Sequence, residues 1–127
     1  MINWNNLDTL TSFKELSEVE RVNLAEVMSG ENGAERVKNY SVPMTEDLTY
    51  NYAAKAVDDK VLAALAKLAK EAQLTEKYAA LYNGEVINTG EKRLVLHQLT
   101  RGQLGDKVEA DGVDKREFYV KQQQRIA

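Results

Sequence analysis

The chain has 127 residues, with 17 Lys+Arg against 20 Asp+Glu for a formal net charge of −3, and it is 43% hydrophobic and 29% charged. These values fit one globular domain, or a piece of a larger one, and exclude wholesale disorder. With no cysteine and a single histidine, His97, disulfides, thiolate metal sites, cysteine nucleophiles and paired-histidine metal motifs are excluded, and the mild acidity argues against a general nucleic-acid binder.

The N-terminus Met1-Ile2-Asn3-Trp4-Asn5-Asn6 has no basic region followed by an apolar run, so it does not read as a secretory signal. Ser12-Phe13-Lys14-Glu15 and Ser17-Glu18-Val19-Glu20 have capping-box spacing, in which the serine oxygen accepts from the third backbone amide. After the second box, Val19, Val22, Leu24, Val27 and Met28 form a mostly helical stripe, and Ser29-Gly30 supplies a stop. A further helix is expected from Gly33 to Tyr40, ending near the only proline, Pro43. Leu48-Thr49-Tyr50-Asn51-Tyr52 alternates large and polar residues and reads as a short strand or an extended arm.

The clearest element follows. Asp58 or Asp59 caps a helix whose apolar positions Val61, Leu62, Leu65, Leu68, Ala69 and Ala72 recur with 3-4 spacing. Lys67, Lys70 and Glu71 interrupt this apolar-rich run, whereas a membrane span needs about 20 apolar residues, so no membrane association is expected and the cytoplasm is the default. Thr75 is expected to cap a helix over Glu76 to Tyr82, with Gly84 ending it and a loop running from Asn83 to Gly90. A further helix is expected from Glu91 to about Arg101, and Gly102, Gly105 and Gly112 then punctuate a loop-rich stretch. Asp114-Lys115-Arg116-Glu117 caps a last helix containing Phe118, Val120 and Ile126, which has no stop signal before Ala127. The expected fold is therefore mainly α, with several short helices and one short strand or arm, and the chain is expected to end within a helix.

Glycine-rich phosphate loops and nucleophile elbows are absent. The 20 acidic residues present no pair suited to acid–base work. One cationic row stands out. Arg93, His97 and Arg101 fall at i, i+4 and i+8, which on a helix share one face. Such a row suits an anion, a sugar phosphate or a partner carboxylate, and a histidine there can also move a proton. The competing reading pairs the arginines with Glu85 or Glu91 and packs the histidine among Leu94, Val95, Leu96 and Leu99. The aromatic residues are spread along the chain as packing anchors and form no platform for stacking bases.

The stretch from Asn83 to Arg101 resembles a signature of the glucose-6-phosphate isomerase family. Gly84, Glu85, Ile87 and Asn88 match its first part, and Thr89, Glu91, Arg93, Val95, Leu96, His97 and Arg101 match its second. The flanks Leu48–Tyr52 and Leu62–Ala69 agree, while Leu99-Thr100, Gly90 and Ala54-Lys55 depart from the pattern. The resemblance covers nearly all 127 residues but only the N-terminal part of the family's longer chain. It implies an aldose–ketose isomerase of glycolysis and gluconeogenesis that interconverts glucose 6-phosphate and fructose 6-phosphate. It also implies an α/β parent with sugar-isomerase-type subdomains, a homodimer, and no metal or organic cofactor. The principal catalytic residues lie beyond the resembling segment, so none is assigned here. Arg93, His97 and Arg101 are expected to support the site from behind or to face an anion. The lone chain is expected to be an inactive N-terminal piece. The alternatives are a stand-alone helical interaction module and, more remotely, a small phosphate- or RNA-binding protein.

Overall fold

A computed structural model describes residues 1–101 and 107–127. They form six α-helices, two 3-10 turns and two small antiparallel pairs of strands, which is the mainly α class expected. No described helix is long and apolar enough to cross a membrane. The chain divides into two units, Asn5–Ala72 and Met1–Trp4 with Gln73–Ala127.

In the unit Asn5–Ala72, a 3-10 turn at Leu7–Thr9 leads into α1, Thr11–Glu18. The N-cap, Leu10, has no side-chain acceptor. Glu71, 59 residues from Ser12, supplies one. Its carboxylate accepts from the Thr11 N–H at 3.3 Å, the Ser12 N–H at 2.8 Å, and the Ser12 hydroxyl. The two predicted capping boxes do not form. Ser12 lies inside the first turn, and the Ser17 hydroxyl donates to the Lys14 carbonyl at 2.6 Å, a local bond that competes with capping. The helix expected after Ser17 accordingly shrinks to α2, Leu24–Val27, where Asn23 caps the Glu26 N–H. Helix α3, Glu31–Asn39, starts after Gly30, whose φ of 73° suits glycine.

Strand β1, Ser41–Thr45, pairs with β2, Leu48–Asn51, in a hairpin that places Val42 opposite Tyr50. Of the two readings left open for Leu48–Tyr52, a strand or an extended arm, the strand is present, over Leu48–Asn51. Its partner containing Pro43 was not expected, and a proline is tolerated there because a two-stranded ribbon has free edges. Helix α4, Asp59–Glu71, forms as predicted, with Asp58 accepting from the Val61 N–H at 2.8 Å. Arg36 of α3 is buried and fixes the connection into α4. Its guanidinium donates to the carbonyls of Ala53 (2.9 Å), Lys55 (3.1 Å) and Val57 (2.6 Å), and it lies 4.2 Å from the centre of the Tyr40 ring.

The second unit is built on α5, Leu74–Tyr82. Thr75 does not cap it. The N-cap is Gln73, at φ 53°, and the Gln73 side chain accepts from the Asn3 N–H at 2.7 Å. Gly84 ends α5 as expected, through paired bonds from the Gly84 N–H to the Leu81 carbonyl (3.2 Å) and from the Glu85 N–H to the Ala80 carbonyl (2.9 Å). Its φ is 74°, and a Cβ there would clash with a Val108 methyl. Strands β3, Glu109–Ala110, and β4, Val113–Asp114, flank the Asp111-Gly112 turn, in which both residues have positive φ. Asp114 then caps α6, Lys115–Ile126, by accepting from the Arg116 and Glu117 amides, as predicted. Among the described residues, Leu99 and Val108 are the largest fully buried side chains, joined by Ala80. The expected breaks at Gly102 and Gly105 lie outside the described residues.

Candidate functional site

The helix expected from Glu91 to Arg101 does not form. The Asn88 carboxamide accepts from the Glu91 N–H at 3.2 Å, and Asn88 and Arg93 exchange backbone bonds across a tight turn. Lys92 adopts φ 54° in that turn, a left-handed conformation incompatible with a continuing helix. Turn chemistry at Asn88-Thr89-Gly90 therefore outweighs the apolar run that follows. Only a 3-10 turn, His97–Thr100, remains, and it places Leu99 in the core.

The consequence for the cationic row is direct. His97 and Arg101 line one cleft, of ≈480 Å³, with Val95, Gln98 and the tyrosines Tyr78 and Tyr82 of α5. Arg93 lines a separate cleft, of ≈710 Å³, among Lys92, Glu85, Glu109 and Asp111. The guanidinium of Arg93 lies 3.9 Å from the Glu91 carboxylate, both side chains being mostly in water, an arrangement of little energetic weight. Only two of the three predicted residues are thus brought together, because the i, i+4, i+8 relation needs a helix.

The His97–Arg101 cleft is held by backbone-directed bonds. The Gln98 amide donates to the Leu81 carbonyl at 2.9 Å, and the Gln123 amide of α6 donates to the Thr100 carbonyl at 3.2 Å. The Thr100 hydroxyl donates to the His97 carbonyl at 2.8 Å. The other Gln98 atom, Oε1, is buried and meets no donor among the described residues. The wall therefore combines an arginine, a histidine and two tyrosines. That set can receive an anionic group at Arg101.

Two residues outside this cleft escaped the sequence reading. Glu71 and Arg36 each hold distant backbone, and nothing in their local sequence distinguishes them from surface charges. Hydrogen bonds from Ser12 draw the Glu71 carboxyl below its ordinary value. Burial, and the Asp59 carboxylate accepting from its hydroxyl at 3.1 Å, raise Tyr40. The nearby Glu109 carboxylate raises Lys107. None of these three groups lines the His97–Arg101 cleft. No cluster of three or more His, Asp or Glu suited to a metal ion occurs among the described residues.

Comparison with known proteins gives a consistent result. Residues 51–126 match the family model described as phosphoglucose isomerase. A protein named glucose-6-phosphate isomerase from Treponema denticola is 52% identical over 128 residues, covering 97% of this chain and 24% of the relative. The protein of that name from Treponema pallidum (strain Nichols) is 42% identical, covering 98% of this chain and 24% of its own length. The one from Borreliella afzelii is 39% identical, covering 99% and 23%. The chain thus spans about a quarter of the length of these curated relatives.

Proposed function

This chain belongs to the phosphoglucose isomerase family, and on that premise we propose that it is the N-terminal helical part of a glucose-6-phosphate isomerase. The whole enzyme interconverts glucose 6-phosphate and fructose 6-phosphate. A sugar ring is opened, and a base then carries a proton between C1 and C2 through an enediol or enediolate. The match over residues 51–126 carries this reading. The enzyme acts as a cytoplasmic homodimer in glycolysis and gluconeogenesis, without a metal or organic cofactor.

The 127-residue chain by itself has no turnover. Proton transfer of this kind needs a base with a pKa near the working pH, set within reach of the substrate carbon. Hydrogen bonds from Ser12 hold the Glu71 carboxyl below its ordinary value, and that carboxylate is occupied by the N-terminus of α1. His97 and Arg101 face an anion or support the site from their cleft. The acidic neighbours of Arg93 make it a poorer anion ligand.

The test replaces the matching quarter of the Treponema denticola isomerase with this chain. The hybrid is expected to convert fructose 6-phosphate, while the 127-residue chain alone stays at the blank. An inactive hybrid overturns the reading, and turnover by the lone chain overturns the assignment of catalysis to other segments. The competing reading, a stand-alone interaction module, draws on the exposed apolar side chains. It predicts a monomer with a cooperative melt and an inactive hybrid.

A further inference from the structure

A single residue, Gln73, joins α4 to α5. It follows the α4 C-cap, Ala72, and is itself the α5 N-cap, with φ 53° and ψ 46°. Helices often end in this left-handed conformation, but glycine or asparagine usually takes it, because a Cβ there crowds the following carbonyl. A glutamine persists in it where the surroundings hold it there.

Asn3 and Trp4 supply the hold. The Asn3 N–H donates to Gln73 Oε1 at 2.7 Å, across 70 residues of chain. The Lys77 ammonium lies 5.5 Å from the centre of the Trp4 ring. The Lys77 N–H donates to the Gln73 carbonyl at 2.9 Å, so Gln73 and Lys77 are one turn apart on one face of α5. Two neighbours in the chain thus meet two neighbours on that face, one through a backbone donor and the other through a ring that attracts a cation.

Met1–Trp4 belongs to the same unit as α5, and Asn5–Ala72 forms the other. Asn5 follows Trp4 and Ala72 precedes Gln73, so the stretch Asn5–Ala72 is a loop whose two ends are pinned at the first turn of α5. Its own buried apolar side chains are all alanines. With both ends pinned, the stretch gains less chain entropy on opening than it would with one end free.

We propose that Met1–Trp4 is a strap. Seated on α5, it keeps Gln73 left-handed and the stretch Asn5–Ala72 closed. Its release lets that stretch open while Gln73–Ala127 stays folded, as separately cooperative parts of a protein do. The opening is gated by two contacts that lie outside the stretch that opens.

The test is hydrogen exchange with mass spectrometric readout on the 127-residue chain, alongside acrylamide quenching of Trp4, its one tryptophan. Gln73→Gly removes the acceptor and also relieves the left-handed strain, so a strap and a plain joint predict opposite signs. With a strap, Trp4 becomes more readily quenched and the amides of α1 and α4 exchange about tenfold faster, the loss of one hydrogen bond and one ring contact, while α6 keeps its wild-type rate. With a plain joint, Trp4 is unmoved and α1 and α4 exchange as in the wild-type chain or more slowly, which overturns the proposal. Equal acceleration in α1, α4 and α6 is a general loss of stability and overturns it too. Trp4→Leu leaves Gln73 in place and is expected to speed α1 and α4 about threefold with α6 unchanged. That variant decides by the same criterion if the Gln73 variant does not fold.

Discussion

The two units of this chain are stabilised differently. The unit Asn5–Ala72 buries only alanines among its apolar residues, alongside Ser12 and Arg36. Its connections are fixed by polar side chains that reach distant backbone: Arg36 holds three carbonyls, and Glu71 holds the start of α1. The unit containing Gln73–Ala127 instead buries Leu99 and Val108 completely and brings Gly84 against Val108. The difference shows that a segment with few large buried side chains can still hold a defined path, provided its buried donors meet carbonyls that would otherwise lose their water.

Substitutions test this contrast. Leu99→Ala has the largest expected effect, a loss of about 3–4 kcal/mol of unfolding free energy from transfer and cavity terms, read by urea denaturation. Gly84→Ala follows, at about 2–3 kcal/mol, combining a left-handed residue with overpacking against a β-branched side chain. Moving the alanine to Glu85, one residue along, spares both terms, so a comparable loss there would break the glycine argument. Arg36→Leu is expected to cost about 2 kcal/mol, because it keeps apolar bulk but strands carbonyls of residues 53–57. Hydrogen exchange in that segment should rise before the unit melts as a whole. A larger loss for Arg36→Leu than for Leu99→Ala would invert the comparison.

Glu71→Gln has the smallest expected effect, and its signature is pH dependence. The Glu71 carboxyl titrates below its ordinary value of 4.5 in the folded chain. Its contribution is therefore present above that value and is lost as pH falls through the folded pKa. The wild-type chain and the Gln variant should differ in melting temperature near neutrality and converge in acid. A difference that persists in acid would place the effect in packing instead of the carboxylate at the α1 N-terminus.

The elements that were legible from sequence carry their signals within a few residues. Asp58 before the 3-4 apolar run of α4, Asp114 before α6, and Gly84 after α5 act through neighbours in the chain, so spacing located them, the first to within one residue, Asp58 or Asp59. The failures share another cause. Ser12 and Ser17 sit at capping-box spacing, yet the α1 N-terminus is satisfied by Glu71. The apolar run after Arg93 reads as helical, yet the turn at Asn88–Arg93 and the burial of Leu99 select a 3-10 geometry. The cationic row was legible as residue types, and its division between two clefts was not.

By itself, the amino-acid sequence determined the mainly α character, a cap at Asp58 or Asp59, the cap at Asp114, an extended segment at Leu48 and the resemblance from Gly84 to Arg101, because each depends on residue types at short, fixed spacings. Only the tertiary structure decided that Glu71 caps α1, that Arg36 clamps residues 53–57, that His97 and Arg101 share a cleft without Arg93, and that the hairpin face lies open. Those outcomes depend on groups up to 60 residues apart in the chain, and no local pattern encodes which distant donor meets which acceptor once water is removed from between them.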